Sequence, residues 1–392
     1  MWGIIAEPDA LGSPAAIETD SRGHRPIVDG HRLGCAATGC GDVVIDVPPA
    51  SQVHRQVVRK DLDLPPIVVD PSFTLWYVEV RRPELGDDAS LADLVREAVA
   101  DQHHRSAPHV PLRALPMLQP ALAAEDGAVT VVIDDHDDVV AVWPGFVDAA
   151  YGVAIDIGST TIAGHLCELT TGEVLASAAR MNPQIRFGED LMSRVSYVMM
   201  NPGGERQLTE AVRTALDGLI GELVDQVETY REYVVEVVLV GNPIMHHLVL
   251  GLDPTPLGQA PFTLTTNRAL TARATDLDLT LPNARCYVGP CIAGHVGADT
   301  AAAVLAEAPH AGDEVQLLVD IGTNAEIVLG NRDVVYAASS PTGPAFEGAQ
   351  ISSGQRATTG AIERVRIDRE TLEPKLRVIG IDAWSDDPEF AA

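Results

Sequence analysis

The residues best suited to chemistry lie in two similar segments, VAIDIGSTT at 153–161 and LLVDIGTNA at 317–325. In each segment an apolar run delivers an aspartate, Asp156 or Asp320, and a glycine then permits a tight turn. Successive backbone N–H groups in such a turn converge on an anion, and small side chains let the backbone approach it closely. The repeat therefore predicts two phosphate-binding turns on two similar lobes.

The two aspartates suit a shared magnesium ion. Mg2+ keeps most of its waters and takes one or two protein carboxylates, so Asp156 and Asp320 would hold it through water. The alternative interpretation is that each DIG is simply a strand that ends in a turn, although its repetition after a second apolar run favours a ligand site. Neither copy contains the GxxxxGKS or GxxxxGKT pattern of a P-loop, which predicts a different way of binding nucleotide.

Strands and helices must position these turns. A three-stranded meander is predicted around the first copy, over 152–157, 161–169 and 173–179. Apolar residues then recur with a helical period from 208 to 227, and this face should pack on the sheet. Strands are predicted farther along at 234–240 and 284–288, and helices near 244–250 and 298–306. This alternation predicts an α/β lobe.

The segment ahead of the first copy is predicted to be organised differently. Residues 75–80 and 129–133 are predicted strands and 90–102 a predicted helix, which together give a small α+β module. The prolines and alternating acids of 61–71 favour an extended connector. A boundary between the module and the α/β lobe is predicted near 144–150.

The charge balance excludes some partners. The 392 residues carry 27 basic and 56 acidic side chains, and the formal net charge of -29 would repel nucleic acid and anionic membrane surfaces. The longest apolar stretch, 233–252, contains Glu236 and Pro243 and is not predicted to span a membrane. Because the first residues lack a signal-peptide pattern, a cytoplasmic location is expected.

Five cysteines, an odd number, do not suggest a disulfide framework, so any cysteine chemistry should involve a metal or a redox group. Cys167, Cys286 and Cys291 are expected to be thiols without a metal. His246 and His247 are adjacent and cannot both point at one ion from a helix, which favours a role at a helix start or in the core.

Longer motifs resemble a known family. They are YGVAIDIGSTTIAGHL (151–166), MNPQIRFGEDLMSRV (181–195), VGNPIMHH (240–247), GHVGADTAA (294–302) and SSPTGPAFEGAQIS (339–352). The paired turns resemble the actin/Hsp70/sugar-kinase superfamily, whose ribonuclease-H-like lobes hold ATP between them. The motifs together look like the reductive activators of corrinoid proteins, which are ferredoxin-fused ATPases. The resemblance implies that ATP hydrolysis helps to move an electron from an iron–sulfur cluster to an inactive Co(II) corrinoid protein and restores Co(I).

The same resemblance implies the site residues, with ATP and Mg2+ as cofactors. The two turns would use Asp156, Gly158, Ser159 and Thr160, and Asp320, Gly322, Thr323 and Asn324. Asp190 and Asp299 each follow a glycine-containing turn at a predicted helix start, where a carboxylate either orients the attacking water or caps the helix. The segment from Gly343 to Gly348, with Glu347, either lines the nucleotide cleft or forms a simple loop.

A ferredoxin-like segment is part of the resemblance. RLGC at 32–35, followed by 41–60, is similar to the tail of a plant-type 2Fe–2S domain, and Cys35 matches the fourth ligand. The three upstream ligands that such a cluster needs are absent from the sequence, and Cys40 does not match the family pattern. The chain is therefore not expected to assemble the cluster unaided.

The resemblance implies four domains. They are a remnant of a β-rich ferredoxin domain (1–60), a linker with the small α+β module (61–149), a first ATPase lobe (150–310) and the start of a second lobe (311–392). The chain is thus expected to be an internal fragment of a longer protein, truncated at both ends.

The leading functional hypothesis is an ATP-dependent reductive activator. Its partners would be a corrinoid protein and an external electron donor, and a homodimer is a further expectation because dimers are the commonest oligomers. Two alternatives stay open, a small-molecule kinase of the same superfamily and a non-catalytic nucleotide-binding module, because one fold can host several functions.

Overall fold

The computed structural model describes residues 68–188, 190–322, 324–342 and 359–391, together with the backbone of three short strands nearer the amino terminus. These strands are β1 (Trp2–Ile5), β2 (His31–Leu33) and β3 (Ile45–Asp46). They form an antiparallel sheet in the order β2-β1-β3. They belong to one compact unit, Met1–Arg55, and the remainder of the chain forms a second unit.

Residues 68–149 form a small α+β module, which we call the linker module. Its elements are β4 (Phe73–Glu79), α1 (Leu91–His103), α2 (Leu115–Ala124), β5 (Ala128–Asp134) and β6 (Val139–Pro144). The strands pair antiparallel in the order β4-β5-β6. Ser90 caps α1, because its hydroxyl accepts a hydrogen bond from the Asp93 N–H while the Asp93 carboxylate accepts one from the Ser90 N–H.

The central strand of the linker module is buried on both faces. Side chains alternate along a strand, so Val131 of β5 packs with the helices and Val132 packs on the opposite side. On that opposite side Val132 shares a core with Trp143, Ala150 and Val235. The linker module is therefore packed against the α/β lobe that follows it.

The elements from β7 to α6 form a six-stranded sheet with helices, which we call the first lobe. The strands are β7 (Tyr151–Ile157), β8 (Thr161–Glu168), β9 (Val174–Met181), β10 (Val234–Gly241), β11 (Leu270–Arg273) and β12 (Arg285–Val288). The helices are α3 (Leu191–Met200), α4 (Gly204–Gln226), α5 (Pro243–Leu250) and α6 (Ala298–Glu307). The sheet order is β11-β12-β10-β7-β8-β9, with β7, β10 and β12 parallel. The predicted meander and alternating elements are confirmed.

The long helix α4 supports the strand that carries Asp156. Alternate side chains of β7, including Val153 and Ile155, are buried in one core with Leu219 of α4. Each such aliphatic side chain contributes roughly 1.5 to 3 kcal/mol on full burial. Gly164 in β8 permits the close approach, because a Cβ there would lie 3.0 Å from Leu219 Cδ2.

The carboxyl ends of the three parallel strands meet at one edge of the sheet. Val240 of β10 lies opposite Asp156 of β7, and Leu239 lies opposite Val288 of β12. The chain beyond these ends forms the turn 158–160, the start of α5 and the loop to α6. Open α/β sheets bind ligands outside the carboxyl ends of their strands, so we expect a ligand site at this edge.

The last part of the chain forms two small antiparallel sheets. They comprise β13 (Gln316–Ile321), β14 (Asn324–Gly330) and β15 (Val335–Pro341), and the hairpin β16 (Ile362–Ile367) and β17 (Pro374–Val378). The β13–β15 meander has the same strand–turn–strand arrangement as β7–β9. No helix among the described residues is both long and apolar enough to cross a membrane.

Candidate phosphate-binding site

The first turn, 158–160, joins β7 to β8 immediately after Asp156. Its three carbonyl groups all accept hydrogen bonds from Asn182 or Arg194: Gly158 O from Asn182 Nδ2 at 2.9 Å, Ser159 O from Arg194, and Thr160 O from Asn182 N at 2.8 Å. Glycine is required at 158 because a Cβ there would lie 2.4 Å from the Thr161 carbonyl oxygen. The turn is therefore tightly held where the sequence predicted a phosphate-binding turn.

The second turn joins β13 to β14 after Asp320. The Gly322 N–H donates to the Asn324 carbonyl oxygen at 2.8 Å, and the Thr342 hydroxyl donates to the Gly322 carbonyl oxygen at 2.7 Å. Asp320 pairs across the hairpin with Glu326, so their side chains lie on the same face of the sheet. The second turn therefore brings two carboxylates together.

Four carboxylates from the two turns and α6 influence one another. Burial raises the pKa of Asp156 to about 7, and the charges of Asp299 and Asp320 add to the effect. Asp156 is nevertheless exposed to solvent, so a ligand can reach it. Burial also raises the pKa of Glu326 to about 7, again with help from Asp299 and Asp320. Protonation or a bound cation would relieve the repulsion between these carboxylates, and the magnesium site stays a prediction.

Asp299 reaches this group from the first turn of α6. The N-cap residue of the helix is Gly297, and Asp299 Oδ1 accepts a hydrogen bond from the Thr300 N–H at 2.7 Å. Gly297 is wedged into the carboxyl edge of the sheet, since a Cβ there would lie 2.5 Å from the Gly241 carbonyl oxygen. Burial raises the pKa of Asp299, with a further contribution from Asp320. The charge of Asp299 therefore interacts with an aspartate of each turn, Asp156 and Asp320.

Asp190 has a different setting. It is exposed and is the N-cap residue of α3, where its Oδ1 accepts a hydrogen bond from the Ser193 N–H at 2.7 Å. This is the capping role that the sequence left open. The alternative, that Asp190 orients the attacking water, stays a prediction.

Other sequence-predicted residues fall outside the described part or away from the turns. Cys35, Thr323, Gly343, Glu347 and Gly348 lie outside the described residues.

The cysteines and histidines of the first lobe lie away from the turns. Burial raises the pKa of the Cys286 and Cys291 thiols to about 12, and Cys167 is half buried. His246 and His247 are buried in α5, and the Thr265 N–H donates to His247 Nε2 at 2.9 Å. Their role is structural in this geometry.

Sequence reasoning missed Glu326 and Arg194. The signal for Glu326 is its position six residues after Asp320, which places the two residues opposite each other if a tight hairpin is assumed. The first copy hides this signal, because its residue opposite Asp156 is Ala163. Arg194 lies within the MNPQIRFGEDLMSRV motif, but the sequence alone gives no indication that its side chain donates a hydrogen bond to the turn 158–160.

Comparison with known families identifies three consecutive regions. Residues 63–149 match the RACo linker region, 151–311 match the RACo middle region, and 314–386 match the C-terminal domain of RACo, the ASKHA domain. ASKHA denotes the actin/Hsp70/sugar-kinase superfamily, so the predicted fold class is confirmed.

Individual relatives have related names. The chain is 38% identical over 216 residues to the corrinoid activation enzyme RamQ of Eubacterium limosum, covering 55% of this chain and 36% of RamQ. It is 29% identical over 224 residues to the Co(II) methylated amine-specific corrinoid protein reductase of Methanosarcina barkeri, covering 54% of this chain and 40% of the reductase.

A solved structure is similar along nearly the whole chain. It is that of a reductive activator for a corrinoid, iron–sulfur protein, with a TM-score of 0.69 and 30% sequence identity. The match covers 97% of this chain and 62% of the activator. The chain therefore spans less than two thirds of the length of each of these relatives.

Proposed function

Because this chain belongs to the RACo family of reductive activators of corrinoid proteins, we propose that it is the ATP-dependent part of such an activator. The complete protein would couple ATP hydrolysis to the return of an inactive Co(II) corrinoid protein to Co(I). Corrinoid proteins are the targets named for its relatives. The observation that carries the proposal is the group of four carboxylates at the two turns.

The carboxylates suit magnesium by their chemistry. The charges that most raise the pKa values of Asp156, Asp299 and Glu326 are those of the neighbouring carboxylates Asp299 and Asp320. Mg2+ takes such oxygen ligands, and Asp156 and Asp320 would hold it through water. When bound, the ion would neutralise these charges together with those of the ATP phosphates.

The protein's own groups would then bind the nucleotide and move a proton. Backbone N–H groups of the turn 158–160, and those that follow Gly322 in the second turn, would bind the phosphates, with Gly158 and Gly322 allowing the close approach. A carboxyl group with a pKa of about 7 exchanges its proton readily near neutral pH, which makes Glu326 a candidate acceptor for a proton of the attacking water. The Ser339 hydroxyl, 3.1 Å from Glu326 Oε1, would hold that acceptor in place.

The remaining parts of the proposal rest on family membership. Cys35, which lies outside the described residues, would be one ligand of a 2Fe–2S cluster that would supply electron transfer, and an external donor would provide the electron. We also propose the four-part division at residues 60, 149 and 310, which the limits of the matched family regions support. A cytoplasmic location, a homodimer and a cleft-lining role for 343–348 belong to the same proposal.

Asp156→Asn and Asp320→Asn in the complete parent protein test the magnesium assignment. Both variants should lose ATP hydrolysis, because each removes a carboxylate of the ion site. Both should remain folded by circular dichroism, since Asn is isosteric and Asp156→Asn removes a charge that its neighbours repel. Phosphate release measures the hydrolysis.

Asp333→Asn is a matched control, because Asp333 is an exposed aspartate in the loop between β14 and β15. It should hydrolyse ATP at the parent rate. Normal hydrolysis in both site variants would overturn the magnesium assignment. The activator function is tested by the absorbance of Co(II) and Co(I) in a corrinoid protein mixed with the parent, reductant and ATP. ATP-independent reduction, or phosphoryl transfer to an added small molecule instead, would contradict it.

A further inference from the structure

A buried polar group lies behind the first turn. Asn182, Gln184 and Arg194 each have no exposed surface. The Arg194 guanidinium donates to the Ser159 carbonyl oxygen, to Gly188 O at 3.1 Å and to Gln184 Oε1 at 3.3 Å. The guanidinium therefore ties the turn 158–160 to α3 and to the short helix Pro183–Phe187 that precedes it.

Arg194 is unusual because it is a buried cation without an ion pair among the described residues. Its donors are satisfied by carbonyl oxygens and an amide oxygen, and the Met245 sulfur lies 3.3 Å from Nη1. Several other arginines of the lobe, such as Arg213 with Asp278, have a carboxylate partner. Burial lowers the Arg194 pKa to about 10, and the charge of Asp190 acts in the opposite direction but is the smaller effect. Burying this cation therefore costs free energy, so its retention calls for a further compensating interaction.

The geometry of the peptide groups in the turn 158–160 indicates where a compensating anion would bind. In a planar trans peptide the C=O of one residue and the N–H of the next point in opposite directions. Asn182 and Arg194 hold the carbonyl groups of Gly158 and Ser159. The N–H groups of Ser159 and Thr160 therefore point to the other face of the turn, away from the buried group. That is the arrangement needed to bind an anion with successive N–H groups.

We propose that Arg194 and Asn182 are positioning residues for the phosphate of a bound nucleotide. They hold the carbonyl groups of the turn 158–160 away from the phosphate, and the Arg194 charge lies behind the turn as a permanent attraction for it. The proposal rests on the function proposed above. It also gives Asp190 an indirect role, since Asp190 caps the helix that carries Arg194.

The test measures ATP and ADP affinity of the complete parent protein by isothermal titration calorimetry. Arg194→Gln removes the charge and should weaken ATP binding by about 10- to 100-fold, the usual range for a lost charge-assisted contact. Arg194→Lys retains the charge but not the forked geometry, and it should recover part of the loss. Asn182→Asp places a carboxylate behind the turn and should also weaken binding.

Arg213→Gln is the matched control, because Arg213 is also a lobe arginine that donates to a carbonyl oxygen, Val249 O at 2.9 Å, but contacts no phosphate turn. It should leave ATP affinity unchanged. Thermal unfolding with and without inorganic phosphate gives a second readout, and the stabilisation by phosphate should disappear in Arg194→Gln and Asn182→Asp.

The outcomes separate this inference from the proposed function. If the parent binds ATP and both Arg194→Lys and Arg194→Gln bind it equally well with lower thermal stability, Arg194 is only a structural brace and the inference is wrong. If Arg194→Gln does not fold, Asn182→Asp and Arg194→Lys decide, and parent-like affinity in both overturns the inference. A parent that does not bind ATP overturns the proposed function and this inference together.

Discussion

Glu326 lies across the β13–β14 hairpin from Asp320, and its carboxyl group is half buried. Burial is the main reason that the Glu326 pKa is about 7, and the charges of Asp299 and Asp320 add to it. The hydrogen bond from the Ser339 hydroxyl acts in the opposite direction, because it favours the charged carboxylate. The side chain can therefore change protonation state near neutral pH.

Glu326→Gln is expected to lower kcat for ATP hydrolysis by about 10²- to 10⁴-fold with little change in KM, the usual loss for a general base. Ser339→Ala should raise the Glu326 pKa further and move the acidic limb of the rate profile to higher pH. Steady-state rates across the neutral pH range measure both effects. A Glu326→Gln enzyme with parent kcat, or an unshifted Ser339→Ala profile, would contradict the role of Glu326.

Asp156 and Asp320 could be identified from sequence because their signal is local: an apolar run, an aspartate and a glycine lie next to one another. Arg194 could not, because its effect depends on a return of the chain from α3 to a turn 35 residues earlier in the sequence. Sequence spacing carries no information about such a contact until the sheet and helix are packed.

At the scale of elements, β10 and β12 connect the first lobe to the linker module. Glu236 of β10 accepts hydrogen bonds from Arg285 of β12 and from Ser72 of the linker module. Arg285 also forms an ion pair with Asp135 at 2.9 Å and lies over the Phe73 ring at 4.8 Å. A largely buried charge pair thus joins two parts that the sequence predicted as separate modules.

Arg285→Met should destabilise the protein by roughly 2 to 4 kcal/mol, because it leaves the Glu236 carboxylate buried without its cation. Adding Glu236→Gln should recover part of that loss, since the uncompensated charge is then gone. Denaturant unfolding measures both variants. The control is Arg332→Met, whose partner Asp313 is exposed and whose effect should stay within about 1 kcal/mol. Equal losses in Arg285→Met and the control would contradict this account.

The predictable elements are those with a clear period. The β7–β9 meander and the long helix α4 follow from alternating and helical apolar patterns, and both were found close to their predicted limits. Helix α2 was not predicted, and its Pro116 and Pro120 are unfavourable residues for a helix. Pro116 lies in the first turn, where a missing N–H costs little, and Leu118 and Ala121 pack in the module core. Tertiary packing therefore outweighs the penalty of Pro120.

At the scale of the whole molecule, the net charge of -29 makes the carboxylates at the turns especially sensitive to pH and to cations. The raised pKa values of Asp156 and Glu326 mean that the native state binds protons more tightly than the unfolded state. Stability therefore falls as pH rises from the ordinary carboxyl range through about 7.

Without divalent cations the melting temperature should accordingly be lower at about pH 8 than at about pH 6. Mg2+ should raise it more at the higher pH, because the ion binds the deprotonated carboxylates. Differential scanning calorimetry with EDTA or Mg2+ measures the difference. Asp156→Asn should reduce both the pH dependence and the gain from Mg2+. A Mg2+ gain that is larger at the lower pH would contradict the assignment.

Strand β10 has a mechanical consequence. Its beginning, at Val235 and Glu236, is packed and hydrogen-bonded against the linker module, and its end, at Gly241, touches Gly297 at the carboxyl edge of the sheet. Five residue steps in a strand span about 17 Å. Because β10 is hydrogen-bonded to β7 on one side and to β12 on the other, it should resist bending between the linker module and the carboxyl edge of the sheet. A displacement of the linker module along β10 would therefore move the carboxyl edge of the sheet, where we propose that the nucleotide binds.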